Sequence, residues 1–98
     1  MGQTQRVRGR ATSVRQEGSD TVIRYHETDV VRFNADRIIL DTGGWQTVTT
    51  KVRMNQAAHQ YGLGYSVYQK DFRWYVEYQG KTLPFERRME LKRGHDAE

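Results

Sequence analysis

The fold is clearest in residues 65–85, which read YSVYQKDFRWYVEYQGKTLPF. Apolar and aromatic side chains alternate with polar ones through three segments of this stretch: Tyr65–Gln69, Phe72–Tyr78 and Lys81–Phe85. Such alternation is typical of strands with one buried face. The dipeptides between the segments, Lys70-Asp71 and Gln79-Gly80, suit tight turns. The stretch therefore predicts a three-stranded antiparallel meander.

Both predicted turns place the same apolar side chains on one face of the meander. They give the cross-strand pairs Val67–Trp74, Tyr65–Val76, Val76–Leu83 and Trp74–Phe85. Agreement between two independent turns supports the meander, since each local signal points to the same buried face. Pro84 has no backbone N–H, so its strand is expected at an edge.

Three further strands are predicted before the meander, at Thr21–His26, Asp29–Phe33 and Arg37–Thr42, because these segments are rich in β-branched and aromatic residues. The residues Asn34-Ala35-Asp36 have turn chemistry. A hairpin at this turn would place Phe33 opposite Ile38 and Val31 opposite Leu40.

A helix is predicted over Thr49–Tyr61, TTKVRMNQAAHQY. Its apolar residues Met54, Ala57, Ala58 and Tyr61 follow the spacing of an amphipathic helix, and Gly62 suits a left-handed stop after it.

These elements predict an α+β fold, a mainly antiparallel sheet of about six strands with one amphipathic helix packed on it. The absence of regular βαβ alternation argues against a Rossmann-type nucleotide fold. Residues 86–93 are compatible with either a strand or a helix. Met89 and Leu91 alternate with polar residues as in a strand, while the composition suits a helix. We expect a basic arm over residues 1–18, one compact domain over 19–93 and a frayed tail over 94–98.

The positive charge of the chain is concentrated at its N-terminus. The formal net charge is +4, and residues 1–15 alone contribute +4, through Arg6, Arg8, Arg10 and Arg15. A basic arm of this kind is typical of segments that bind nucleic-acid phosphates. A solvated tail or an edge strand explains the same residues, and Thr12–Arg15 is compatible with joining the sheet.

Several function classes are disfavoured by composition. The chain has no cysteine, which excludes disulfides, thiolate metal sites and a cysteine nucleophile. No apolar run reaches the ~18 residues of a membrane span, and no signal sequence follows Met1, so we expect a soluble protein. His26, His59 and His95 lack metal-ligand spacing, and no catalytic Ser-His-Asp or lysine-based pattern is evident. The sequence therefore predicts a protein that is not an enzyme and needs no metal or cofactor.

The segment 43–53, GGWQTVTTKVR, is a candidate anion site at the start of the helix. Two glycines let backbone approach a ligand closely, threonine hydroxyls can donate hydrogen bonds, and two cations sit where acids are usually preferred. A phosphate at the exposed N–H groups would make those cations favourable. The candidate residues are Gly43, Gly44, Thr47, Thr49, Thr50, Lys51 and Arg53. A glycine turn with threonine caps and solvated cations is the alternative.

A second candidate is the outward face of the meander, with Tyr68 predicted opposite Arg73. Tyrosines interleaved with cations suit the stacking of unpaired bases. This surface comprises Tyr68, Lys70, Arg73 and Tyr75, together with Arg6, Arg8, Arg10 and Arg15 of the arm. A protein interface explains it equally well. Tyrosines are also frequent on exposed sheet faces, and a face covered by the helix is a further alternative.

Three strings of the sequence form a recognisable set: Tyr25-His26-x-Thr28-x-Val30-Val31, Leu40-Asp41-x-Gly43-Gly44-Trp45-x-Thr47-x-Thr49-Thr50-Lys51-x-Arg53-Met54-Asn55-Gln56, and Val67-Tyr68-Gln69-Lys70. Together they resemble small proteins of tailed bacteriophages and prophages. The resemblance covers residues 21–85 and leaves out the arm. It implies the cytoplasm of a bacterial host or a virion as the location, and it implies no functional residue.

Three functional hypotheses follow. The first is a non-enzymatic phage-type binding protein that contacts nucleic-acid phosphates through the arm and the helix start. The second is a counter-defence or regulatory protein that binds a nucleotide signal or a host protein, because residues 16–98 are neutral overall. The third is a virion structural component or a homo-oligomer built through the tyrosines.

Overall fold

The computed structural model describes residues 12–44 and 46–93. Its elements in chain order are β1 (Thr12–Glu17), β2 (Asp20–Tyr25), β3 (Thr28–Phe33), β4 (Arg37–Asp41), α1 (Val48–Tyr61), β5 (Tyr65–Lys70), β6 (Arg73–Tyr78), β7 (Lys81–Pro84) and β8 (Arg88–Lys92). Five strands form one antiparallel sheet in the order β1-β2-β3-β4-β8, and β5-β6-β7 form a second. The α+β class is confirmed, but the described residues hold eight strands in two sheets rather than about six in one.

The two additional strands come from segments whose structure the sequence left open. Residues 12–17 of the predicted arm form β1, which pairs along its whole length with β2. Residues 88–92 form β8 on the far side of β4, which places Met89 opposite Leu40 and Leu91 opposite Ile38. Residues 1–11 and the predicted tail 94–98 lie outside the described residues.

The hairpin of β3 and β4 has the predicted register, with Phe33 opposite Ile38 and Val31 opposite Leu40. The Asn34 side chain stabilises its turn by accepting hydrogen bonds from the N–H groups of Asp36 (2.7 Å) and Arg37 (3.1 Å).

A bulge between β2 and β3 separates an apolar face from a charged one. The register shifts after Ile23, which pairs with Val31, because Arg24 pairs with Asp29 and Val30 is left over. Val30 and Val31 are therefore both buried in the core. Asp29 and Arg32, on either side of them, make ion pairs on the opposite face of the sheet.

The meander has the predicted faces, but the register of its first hairpin differs by two residues. Val67 pairs with Val76 and Tyr65 with Tyr78, so the predicted pairs Val67–Trp74 and Tyr65–Val76 are wrong. The turn uses Asp71-Phe72 rather than Lys70-Asp71, and both of its residues have positive φ, as in a type I′ turn. A shift of two leaves each side chain on its predicted face.

The second hairpin is as predicted, with Val76 opposite Leu83. The Phe85 N–H donates to the Trp74 carbonyl oxygen at 3.0 Å, so the pairing continues beyond β7. Pro84 lies in β7, an edge strand of the small sheet.

The helix α1 packs against the inner faces of both sheets. Thr47 is its N-cap and accepts a hydrogen bond from the Thr50 N–H, and Gly62 ends it in the left-handed conformation. Its buried residues Met54, Ala57 and Ala58 belong to one core cluster with side chains from both sheets. The faces turned away from this core are the outer faces.

Candidate nucleic-acid interface

The outer face of the small sheet carries two tyrosines beside two cations. Strand alternation places Tyr68 and Lys70 of β5 on this face, together with Arg73 and Tyr75 of β6, because Val67, Trp74 and Val76 are buried on the opposite face. We call these four residues the tyrosine face. The tyrosines are half-buried and the cations are exposed.

The helix leaves the tyrosine face uncovered. Its contacts with the meander involve the inner face and the free edge of β5: Lys51 Nζ lies 5.8 Å from the centre of the Trp74 ring, and the Tyr65 hydroxyl donates to the Met54 carbonyl oxygen. The Asn55 side chain bonds the backbone of Val67 at the β5 edge. The helix therefore does not cover Tyr68 and Tyr75.

The tyrosines face each other across the strands. Tyr68 lies opposite Tyr75, not opposite Arg73 as predicted, because the register of this hairpin differs by two residues. Their ring centres are 5.7 Å apart and the ring planes differ by 28°, a stacked arrangement. Lys70 lies opposite Arg73 in the adjacent row.

Neither cation of the tyrosine face has an ion-pair partner within residues 12–44 and 46–93. Within the described meander, the acid on the same face is Glu77, which lies beyond the tyrosine row and opposite Ser66. Asp71 occupies the hairpin tip. Like charges directly opposite each other on a sheet destabilise it, so an anion at Lys70 and Arg73 would relieve their repulsion. The arrangement suits bases on the rings and a phosphate at the cations.

The two glycines of the candidate anion site are required by the fold. Gly43 and Gly44 have φ values of 66° and 91°, in the region that favours glycine. A Cβ on Gly43 would lie 2.3 Å from the Thr28 hydroxyl oxygen. The Asp41 carboxylate accepts from the Gly43 N–H at 2.7 Å, and the Thr42 hydroxyl accepts from the Gly44 N–H at 3.1 Å.

At the helix start the structure brings the threonine hydroxyls together and separates the cations. The Thr47 and Thr50 hydroxyls are 3.0 Å apart, and half-buried Thr49 lies between these residues in the chain. Lys51 lies over Trp74 of the small sheet. Arg53 turns to the large sheet, where its guanidinium lies 5.6 Å from the Tyr25 ring centre and its Nε donates to the Thr12 hydroxyl at 2.9 Å. Residues two apart on a helix do not share a face, which explains the divergence.

A cleft of about 670 Å³ opens beside the threonines of the helix start. Its lining comprises Tyr25, His26, Glu27, Thr28, Val30, Thr42, Thr47 and Thr50. The sequence pointed only to Thr47 and Thr50, because the β2–β3 turn and the end of β4 reach this place through tertiary packing. The two aromatic rings, Tyr25 and His26, lie 4.3 Å apart on its wall.

Of the four arm arginines, Arg15 lies in the described residues and is held in place. Its guanidinium bonds both carboxylate oxygens of Asp29, at 3.2 and 3.0 Å, and Glu17 at 2.6 Å. The hydrogen bonds from Arg15 to Asp29 lower the pKa of the Asp29 carboxyl, and Arg24 lowers it further. Arg6, Arg8 and Arg10 lie outside the described residues.

Membrane-spanning helices and metal-ligand clusters are both absent from residues 12–44 and 46–93. No helix there has the length and apolar character to span a bilayer. No three histidine, aspartate or glutamate side chains in the same residues are grouped as metal ligands.

The family model described as Kyanoviridae Gp96 protein matches residues 2–92. The chain therefore belongs to this family, and its resemblance to phage proteins is confirmed. The match begins at residue 2, so it includes the basic arm that the resemblance left out. No curated protein and no solved structure matches the chain.

Proposed function

We propose that this member of the Kyanoviridae Gp96 phage protein family is a non-enzymatic binding protein for single-stranded nucleic acid. The observation that carries the proposal is the tyrosine face, where the stacked rings of Tyr68 and Tyr75 lie beside Lys70 and Arg73. Bases of a single strand stack on the rings, and the cations attract its phosphates.

The core of the small sheet is complete without the outer tyrosines. Tyr65, Val67, Trp74, Val76 and Tyr78 already fill the inner face and are buried. The outward rings are therefore free to serve an external ligand, and a single strand presents the flat bases that suit them. In a duplex those base faces are stacked on each other, so the proposal favours single strands.

The basic arm adds general attraction to phosphates in this proposal. We assign that role to Arg6, Arg8 and Arg10, because Arg15 is engaged by Asp29 and Glu17. The helix start lies on the inner side of the small sheet, where Lys51 approaches Trp74, so it is not part of the tyrosine face.

The test is a fluorescence anisotropy titration of a labelled single-stranded oligonucleotide and of a duplex of equal length, across a salt series. The double variant Tyr68→Ala/Tyr75→Ala should weaken the binding free energy by about 1–3 kcal/mol for each stacked base. The double variant Lys70→Ala/Arg73→Ala should reduce the salt slope by roughly 0.7 for each phosphate that these cations neutralise.

The matched control is Ser66→Ala/Thr82→Ala. These two exposed residues also lie on the outer face of the small sheet, but they are not among the four residues of the tyrosine face. Circular dichroism should show that all variants are folded. Absence of single-strand binding, tighter binding to the duplex, or a folded double-tyrosine variant with unchanged affinity would refute the proposal. Self-association that the double-tyrosine variant abolishes would instead identify a protein interface.

The cleft favours a second candidate function, the binding of a nucleotide. Its volume of about 670 Å³ lies within the usual range for small-ligand sites, roughly 300–1,000 Å³. Tyr25 offers a ring to a base and Glu27 an acceptor to ribose hydroxyls. The hydrogen-bonded hydroxyls of Thr47 and Thr50 have one proton left between them to donate to a phosphate. Arg53, stacked on Tyr25, adds positive charge beside the same wall.

A thermal-shift screen with mono-, di- and cyclic nucleotides tests the second candidate. A ligand present at 100 times its dissociation constant should stabilise the protein by about 2.7 kcal/mol. Arg53→Ala should reduce the shift, and Lys51→Ala is the control because Lys51 points toward the small sheet. This candidate fails if no nucleotide shifts the melting temperature, or if the shift is the same in Arg53→Ala as in the unmodified protein.

A further inference from the structure

Phe72 combines two features that are unfavourable in an isolated protein. It lies at the tip of the β5–β6 hairpin with 94% of its surface exposed. Its φ is 68°, in the left-handed region that bulky side chains rarely adopt. The neighbouring turn residue Asp71 also has positive φ, but aspartate tolerates this conformation better.

The other turn of the meander has glycine, the residue type that this backbone conformation favours. There the corresponding residue is Gly80, with a φ of 77°. Glycine adopts such a φ without steric strain, and it exposes no apolar surface. The two turns have the same length and belong to the same small sheet, so sheet formation does not require a phenylalanine at position 72.

Phe72 also occupies a defined place relative to the tyrosine face. Moving along the hairpin, the Tyr68–Tyr75 row comes first, the Lys70–Arg73 row second and the Asp71-Phe72 tip last. The cations thus lie between the half-buried tyrosine rings and the exposed ring of Phe72. A strand that follows the hairpin can place a phosphate at the cations and bases on both sides of it.

We propose that Phe72 extends the tyrosine face as a third stacking residue and holds a base of the bound single strand beyond the Lys70–Arg73 row. This inference rests on the proposed function. Its premise is that a base covers the ring in the complex, which offsets the exposure and the backbone strain present in the free protein.

The inference predicts that stability and affinity change in opposite directions. Phe72→Gly removes both the ring and the strain, so the melting temperature should rise or stay unchanged. Affinity for the labelled single strand should fall about five-fold or more. Phe72→Tyr keeps an aromatic ring, so it should retain most of the affinity of the unmodified protein.

The matched control is Gln79→Gly, which makes the same kind of backbone change at the other type I′ turn, away from the cations. It should leave affinity unchanged. If Phe72→Gly binds like the unmodified protein while Tyr68→Ala/Tyr75→Ala binds more weakly, this inference is wrong and the proposed function stands. If the unmodified protein binds no single strand, both are wrong.

Two further outcomes would also count against a stacking role. A clear fall in the melting temperature of Phe72→Gly would show that the fold itself uses the ring. Loss of affinity in Phe72→Tyr equal to that in Phe72→Gly would show that an aromatic ring is insufficient.

Discussion

The side chain of Asn55 takes the place of a neighbouring strand at the edge of the small sheet. Its amide nitrogen donates to the Val67 carbonyl oxygen, and its amide oxygen accepts from the Val67 N–H, both at 2.9 Å. Backbone groups of an edge strand otherwise need water or another strand as partners. One helix residue therefore satisfies the edge of β5 and fixes the helix against it.

Asn55→Ala should lower the free energy of unfolding by about 1–3 kcal/mol, because it leaves two half-buried backbone groups without their partners. Urea denaturation followed by circular dichroism measures the change. The control is His59→Ala, an exposed helix position, for which we expect a change within about 0.5 kcal/mol. Equal stability of the two variants would mean that water replaces the amide at Val67 without loss.

Within one element, strand β6, adjacent aromatic residues have different environments. Trp74 is 6% exposed and meets the Phe85 ring edge-on, with ring centres 5.5 Å apart. Tyr75 lies on the outer face in the tyrosine pair. The strand thus contributes to the core through one residue and to the proposed binding surface through the next.

Trp74→Ala should cost about 3–5 kcal/mol of unfolding free energy, since it removes a large ring from a packed core. Tyr75→Ala should cost far less, because its ring stands on the outer face. Chemical denaturation of both variants tests the difference. Nearly equal losses would contradict the assignment of the two faces.

At the scale of the whole molecule, a cluster of ion pairs stabilises the outer face of the large sheet. Asp29 interacts with Arg15 and Arg24, while Arg32 bridges Asp20 and Glu17 at 2.8 and 2.9 Å. The cluster surrounds Val22, which pairs with Arg15 and Arg32 and is fully buried on this face. Hydrogen bonds from arginines lower the pKa values of the carboxyl groups of Glu17, Asp20 and Asp29.

Lowered carboxyl pKa values predict an acid-sensitive fold. The ordinary values are 3.8 for aspartate and 4.5 for glutamate, and the unfolded chain takes up protons near these values before the folded protein does. The carboxylates therefore stabilise the fold above about pH 4–5, and this contribution is lost as the pH falls through the lower pKa values of the folded state. Melting temperatures measured from about pH 7 to pH 3 should decline at the acid end.

Asp29→Asn isolates the central carboxylate of the ionic cluster. Its melting temperature should lie below that of the unmodified protein near neutral pH, and the gap should narrow as the pH falls below about 4. The control is Glu77→Gln, on the other sheet and outside the cluster, which should have a melting temperature close to that of the unmodified protein at neutral pH. A gap for Asp29→Asn that stays constant with pH would argue against the ionic origin of this stability.

The shared face of the proposed interface could be predicted from the local sequence pattern. Tyr68, Lys70, Arg73 and Tyr75 were assigned to one face although the predicted register was wrong. Side chains alternate with a period of two, so an error of two residues preserves the face. The same error placed Tyr68 opposite Arg73 and left Phe72 out of the turn, since local turn preferences do not predict phenylalanine at a position with positive φ.

The β3–β4 hairpin, the helix and the inward face of the meander could likewise be predicted, because neighbouring residues specify turns, caps and alternation. The pairing of β8 with β4, the position of β1 and the cleft could not be. Each depends on segments distant in the chain. β8 buries Leu91 in the core shared by both sheets and the helix, whereas β1 has no buried residue and is held by its pairing with β2 and by the Arg15–Asp29 ion pair. These contacts exist only once the chain has folded, so no local pattern contains them.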